Sequence, residues 1–310
     1  MEAITTSIRV IVDRSAAGYR TRFSIAYAAL FVLMGGDAVR YAIGWTAWAV
    51  VLGVLLVATL VSLFRGNWRE TFKRVPWPLS ALLGLMLLGS LWSNYALVSA
   101  GAAVVQIATT AFGVYLAAAF DWREILRLFG NTLRTIIYGS VLFELFAAIV
   151  IQGPIEPFFP NYDGDHPPAV AFYWTQGNLF SDDRIQGIVG NSNMLAYMSM
   201  IAVVVFAIER AANTTSRLTT ILSFAATLPM LILSRSASIG FALAAVAAAA
   251  IVSIAAEGKE RDVRHRYYRI AWAVVGIGAL FVLTYRAQIF SLIGKSPDMT
   301  GRTKIWKIVL

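Results

Sequence analysis

Apolar runs as long as a bilayer is thick recur along this chain, and they constrain its fold more than any other feature. Residues 41–64, 95–120 and 236–256 carry no charged side chain. A hydrocarbon core of about 30 Å is crossed by about 20 helical residues. The same bias holds throughout the 310 residues, which are 58% hydrophobic and 14% charged, with a mean hydropathy of +0.68. Soluble domains carry about 25% charged residues. The expected fold is therefore an all-α polytopic membrane protein.

Nine spans are predicted, at about 23–40, 41–64, 77–93, 95–120, 135–152, 193–209, 217–233, 236–256 and 269–285. The first is interrupted by Gly35, Gly36 and Asp37. Residues 218–256 are too long for one span, and Arg235 lies near their middle. Two spans meeting at a turn explain them better, because an arginine at mid-bilayer costs several kcal/mol and one at a turn costs little. The chain reads as a single integral membrane domain over 1–310. Signal-peptide cleavage is not expected, because Met1 to Arg22 is polar and basic without an apolar centre.

Charge sets the orientation. With the N-terminus cytoplasmic, 18 of the 26 lysines and arginines fall on the cytoplasmic side and 8 outside. Every loop then follows the positive-inside rule. Trp68, Trp77, Trp92 and Trp122 fall near span ends, where amphipathic rings favour the interface. The net charge of +9 is accounted for by loops facing anionic lipid, so no nucleic-acid partner is expected. The absence of cysteine excludes disulfide and thiolate chemistry and leaves the compartment open.

The longest non-helical segment, 153–190, falls outside and is dense in Pro, Gly, Asp and aromatic residues. Loops of this length are usually functional or disordered, and the aromatic content argues against simple disorder. Beyond Tyr285 the sequence turns amphipathic and basic. The last residues, GRTKIWKIVL, begin a further helix, so 286–310 is expected to open another extracytoplasmic segment and the chain to be C-terminally truncated.

Arginines on the outer side are the unusual ones. Arg184 closes the long loop in RIQGIVGNSNMLA, Arg235 sits in the turn LSRSAS, and Arg302 lies in DMTGRTKIW. An arginine fork suits phosphate oxygens. Small neighbours, among them Gly187, Ser234 and Ser236, let a ligand approach the backbone. Asn191 and Asn193 are placed to cap the following helix, whose first N–H groups favour an anion. One reading is an anion seat at the outer surface. The other is a pair of arginines snorkelling to headgroups beside a capped helix.

Other residues stay open in the same way. Asp163 to His166 (DGDH) reads as a metal site or as a solvated turn. Asp182 and Asp183 read as a base or as partners of Arg184. Glu144, inside a predicted span, is a proton relay, polar glue or a neutral structural group. Gln106 suits helix packing. No nucleotide-binding, serine-hydrolase or zinc-protease motif occurs.

The stretches RIQGIVGNSNMLA, LILSRSASIGFALA and DMTGRTKIW, in this order, resemble the O-antigen ligase/polymerase family, which includes exopolysaccharide polymerases. That family shows an Arg-x-x-Gly stretch leading to Asn-x-Asn-Leu-Ala, a Ser-Arg-Ser/Gly turn and a Gly-Arg-x-x-x-Trp stretch. The likeness covers roughly 184–310, and the first five spans match in hydropathy alone. It implies a C-type glycosyltransferase fold in a bacterial inner membrane, with an extracytoplasmic site for a glycan carried on undecaprenyl pyrophosphate. It implies Arg184, Arg235 and Arg302 as catalytic, pyrophosphate-binding arginines, with Gly187, Asn191, Asn193, Ser234 and Ser236 around the substrate. A glycan or lipid acceptor would supply the attacking hydroxyl, with inversion, and neither metal nor other cofactor is implied. Ligases of the family also share a histidine late in a large outer loop, after the region matching Arg302. This sequence stops before that point, and His166 does not occupy the motif position. Ligase and polymerase both stay open. A polysaccharide or anion transporter using the same arginines, with Glu144 in proton coupling, is the alternative. A purely structural membrane subunit is the third class.

Overall fold

The computed structural model describes residues 16–66, 68–159, 172–285 and 288. The DGDH turn and Arg302 lie outside the described residues. The chain falls into two compact units, Met1–Arg235 and Ser236–Leu310, divided at the turn that holds Arg235.

The first unit contains α1 (Ala16–Met34), α2 (Gly36–Arg65), the short α3 (Trp68–Lys73), α4 (Trp77–Gly89), α5 (Ala96–Ala119), α6 (Trp122–Phe146), α7 (Ser192–Ala211) and α8 (Arg217–Leu233). A π turn, Ala147–Ile151, extends α6. The second unit contains α9 (Ala237–Ala256) and α10 (Arg261–Thr284), which pack together. The described residues include no strand, only one isolated antiparallel bridge between Ile155 and Thr175.

By length and composition, five helical segments can cross a membrane: Gly36–Arg65, Ala96–Ala119, Trp122–Ile151, Ser192–Ala211 and Ala237–Ala256. Trp77–Gly89 and Arg217–Leu233 are shorter apolar helices. The protein is thus an all-α membrane protein. The nine predicted spans overlap helices, but α1, α4, α8 and α10 do not reach that standard, and the span 23–40 is divided between α1 and α2. Helix α4 buries none of its residues and presents Leu82, Leu85 and Leu88 outward. Apolar faces of this kind are unfavourable in water and natural in lipid.

Several boundaries differ from the sequence reading, each for a physical reason. Helix α6 starts well before residue 135 because Asp121 and Glu124 form a reciprocal capping box. Charged Arg123, Arg127 and Arg134 belong to the helix although they do not belong to its apolar part. The expected break at Gly35 is present. A second one follows inside α2 at Gly44, whose φ of 80° suits glycine. The Phe159 ring packs there, 3.2 Å from where a Cβ would stand. Helices α8 and α9 are separate, as the position of Arg235 required. Gln106 is exposed rather than packed between helices.

Helices α6, α7 and α8 form the main core. Leu133, Ile136 and Ile137 of α6 meet Leu195, Met198, Ala202 and Phe206 of α7 and Met230 of α8. Ile185 and Val189, from the segment between α6 and α7, enter the same cluster. Helix α1 joins this layer to α2 and α5 through Ala26, Leu30, Leu63, Tyr115 and Leu128.

Midway along α6 the core holds a buried ion pair. Glu209 of α7 is 1% exposed and meets Arg134 of α6. Arg134 Nη1 lies 3.4 Å from Glu209 Oε1, and Nε donates to Ser223 Oγ of α8 at 3.0 Å. The guanidinium also covers the Phe206 ring at 4.7 Å. Gly130 makes room, since a Cβ there would stand 2.7 Å from Glu209 Cδ. Breaking a buried pair by removing one partner costs about 3–5 kcal/mol, whereas replacing both with apolar groups is often neutral. Glu209→Ala is accordingly expected to destabilise the chain by about 3–5 kcal/mol in detergent unfolding, and the double change Arg134→Met with Glu209→Leu by clearly less.

Candidate functional site

The segment Asp182 to Asn193 folds over the end of the α6–α7–α8 layer because its apolar and polar residues have separate places to go. Ile185 is fully buried and Val189 is 2% exposed. Gly187, between them, takes a φ of +62°, and Gly190, just after them, one of +64°. These left-handed conformations let the chain turn sharply twice. At Gly187 the approach is also close, since a Cβ would stand 2.6 Å from Ser140 Oγ.

Helix α6 receives this turn with side-chain acceptors. Ser140 Oγ accepts the Ile188 N–H at 3.2 Å. One helical turn later, Glu144 Oε1 accepts the N–H groups of Gln186 at 3.0 Å and Gly187 at 2.6 Å. The Thr175 hydroxyl donates to both Glu144 oxygens, at 2.9 and 3.0 Å. Glu144 is fully buried, so the turn supplies the donors that a buried carboxyl requires. Trp174 completes the enclosure by donating its indole N–H to the Ile188 carbonyl at 2.7 Å. Its ring packs against Tyr41, Phe143 and Phe158.

Three contacts then join the strip 182–185 to the end of α8. The Ile185 N–H donates to the Leu233 carbonyl at 3.3 Å. Arg184 Nε donates to the Ser234 carbonyl at 2.9 Å. Arg235 returns the contact, giving Nη1 to the Asp182 carbonyl and Nη2 to Asp182 Oδ1, the latter at 3.3 Å. Two arginines 51 positions apart in sequence thereby stand on one interlocked strip. Arg235 reaches this place with a φ of 48°, a left-handed conformation that costs a non-glycine residue about 1–2 kcal/mol.

Arg184 is held on two edges. Besides its Nε contact, Nη2 donates to Asn193 Oδ1 at 2.7 Å. Its Nη1 has no partner among the described residues. Burial pulls the guanidinium below its ordinary pKa and the neighbouring Asp183 opposes this. A guanidinium stays a cation at neutral pH all the same.

The predicted site residues divide as follows. Arg184, Arg235, Gly187, Asn191, Asn193 and Ser234 come together at this end of the first unit. Ser234 takes part through its carbonyl, while its hydroxyl is turned inward to the Leu231 carbonyl at 2.6 Å. Ser236 is the N-cap of α9 and belongs to the second unit. Asn191 caps α7, its Oδ1 accepting from Asn193 N at 2.9 Å and Met194 N at 3.2 Å. Those two N–H groups are therefore already satisfied, and the guanidinium edges are the remaining donors for an anion. Asp182 pairs with Arg235 rather than Arg184, and Asp183 accepts the Arg184 backbone N–H at 2.7 Å. Ser140, Trp174, Thr175 and Gln186 were not singled out from sequence. Ser140 stands four residues before Glu144 on one helical face, and that spacing is the signal that points to it.

Comparison of the chain with protein-family models, with curated proteins and with solved structures finds no match.

Two substitutions test the local account. Asn191→Ala removes a cap, and about 1 kcal/mol of stability is expected to go with it. Gly187→Ala must meet both the left-handed φ and the Ser140 side chain, so a larger loss is expected. Unfolding in detergent, with the two variants compared side by side, measures the order.

Proposed function

We propose that the chain is a glycosyltransferase of the O-antigen ligase or polysaccharide polymerase kind. It would join undecaprenyl-pyrophosphate-linked glycans to each other or to a lipid or glycan acceptor during cell-surface polysaccharide biosynthesis. On this reading it has the C-type fold with nine or more spans, in a bacterial inner membrane, with a cytoplasmic N-terminus. Arg184 and Arg235 then face the extracytoplasmic side.

The observation that carries the proposal is the interlocked strip, which brings together two arginines from separate motifs of the resemblance. In the proposed reaction an acceptor hydroxyl attacks the anomeric carbon from the face opposite the leaving group. The bond from that carbon to the phosphate oxygen breaks, and the configuration inverts. Negative charge grows on the departing pyrophosphate. Arginine N–H groups fixed beforehand stabilise such charge more in the transition state than in the ground state. Arg184 suits this role because Ser234 and Asn193 fix its fork while Nη1 stays open to a ligand. Arg235 would give its carboxylate contact with the exposed Asp182 to a phosphate oxygen. Gly187 keeps side chains away from the turn beside them.

A proton-coupled exporter of polysaccharide is the second reading, favoured by one observation: Glu144 is a carboxyl buried within a membrane-spanning helix. The two separate in the native host. At matched protein levels, Arg184→Ala and Arg235→Ala are each expected to lower polymer formation about 10²-fold, the usual effect of losing one charge-stabilising donor. Lipid-linked glycan should accumulate on the outer leaflet. Accumulation on the inner leaflet would instead support the exporter. Full polymer levels in the double variant would leave only a structural membrane subunit.

A further inference from the structure

Among the described residues Glu144 is the one buried carboxyl at the arginine end of α6, and the transfer reaction proposed above gives it no step. Its surroundings suggest what it does. Oε1 receives two backbone N–H groups and the Thr175 hydroxyl, and Oε2 receives the same hydroxyl. Two of these donors are peptide amides, which give hydrogen bonds and cannot take up and pass on a proton. The carboxyl is enclosed by groups that hold it still, an arrangement poorly suited to a carrier that must load and unload.

What it holds is the turn next to Arg184. Gln186 and Gly187 are tied to Glu144, and Ile188 to Ser140 on the preceding turn of the same helix. Ile185 is tied to Leu233 and sunk in the core. Arg184 is therefore the first residue of a stretch whose next four residues are all fixed. Gln186 adds a second layer, its Oε1 accepting the Gln176 N–H at 3.2 Å. That ties the other side of the loop, which carries Thr175, to the same carboxyl.

We infer that Glu144 is a positioning residue for a pyrophosphate-binding Arg184: through the Gln186 and Gly187 amides it sets where the guanidinium stands, and it relays no proton. The inference rests on the transferase reading for its ligand, but the clamp itself can be tested without it. Glutamine at 144 offers a carbonyl oxygen to both amides and an amide donor to the Thr175 oxygen, so the clamp survives without an ionisable group. Alanine leaves the Gln186 and Gly187 amides without an acceptor in a buried place, while the Thr175 hydroxyl keeps only Gln186 Oε1, at 3.4 Å.

The experiment uses the full chain in detergent micelles with undecaprenyl pyrophosphate as the probe. Affinity is measured for the unaltered protein, Glu144→Gln, Glu144→Ala and Arg184→Ala over a range of pH. Hydrogen exchange at the Gln186 and Gly187 amides is followed in the same samples. Glu144→Gln is expected to keep the affinity, its pH profile and the amide protection. Glu144→Ala is expected to lose protection at both amides and to weaken binding about 10–100-fold, the usual effect of removing a group that orients a ligand-binding side chain. Two results overturn the inference. One is a Glu144→Gln protein that binds as poorly as Glu144→Ala or loses its pH dependence, which would show that an ionisable group is needed. The other is a Glu144→Ala protein with undisturbed amides. If the amides lose protection in Glu144→Ala while no variant, nor the unaltered protein, binds the probe, the clamp stands as structure. The pyrophosphate role then falls together with the transferase reading.

Discussion

A peptide turn at the end of a membrane helix bundle must satisfy its own N–H and C=O groups, and here a buried carboxyl does so. Removing polar backbone from water without partners is costly, and lipid offers none. Glu144 meets two of the N–H groups of the 184–190 turn, Ser140 a third, and Trp174 covers the Ile188 carbonyl. Because those groups are satisfied inside the protein, Ile185 and Val189 can sink into the core. Once they are sunk, Arg184 and Asn191 have fixed starting points on the surface. The placement of the arginine strip is a consequence of that order of events in space, running from helix to carboxyl to turn to guanidinium.

Helix α6 is the element from which both polar features of the first unit are built. At its middle Arg134 pairs with Glu209 of α7 and touches Ser223 of α8. Towards its end Glu144 receives the connection between α6 and α7. Apolar packing alone is weakly specific for helices in lipid, since tails are as apolar as leucine. The ion pair and the carboxyl clamp each demand particular partners. The ion pair ties α6 to α7 directly, and the clamp ties α6 to the connection that leads into α7, with Ile136 and Ile137 packed in the core between them.

Legibility from sequence followed the physics of each feature. Long uncharged runs announced their helices because lipid leaves the backbone few other choices. Arg235 announced a break for the same reason, since its charge is affordable only at an end. Of the two asparagines read as caps, Asn191 is one, while Asn193 instead accepts from Arg184. The start of α6 was hidden because its first turns are charged, and hydropathy cannot see an amphipathic extension that a capping box nucleates. The partners of Glu144 were hidden for another reason. Thr175 and Gln186 lie 31 and 42 positions away from it, and no periodicity links them. A buried acid in a sequence states that donors must exist and says nothing about where they come from.

The arginine strip is balanced rather than basic. Asp182 faces Arg235, Asp183 caps the Arg184 backbone, and the two carboxylates offset the two guanidinium charges. A seat of this kind cannot work by net attraction at a distance, which salt would screen in any case. On the proposed reading what it offers is orientation: one guanidinium fixed on two edges, and a second that would exchange an exposed carboxylate for another anion. Fixed donors are worth most where charge appears during a reaction and least for a charge already present. A site that only bound anions would gain by shedding Asp182 and Asp183. One that stabilises a charge as it develops can keep them, because they temper binding of the resting ligand while leaving the orientation of Arg184 intact.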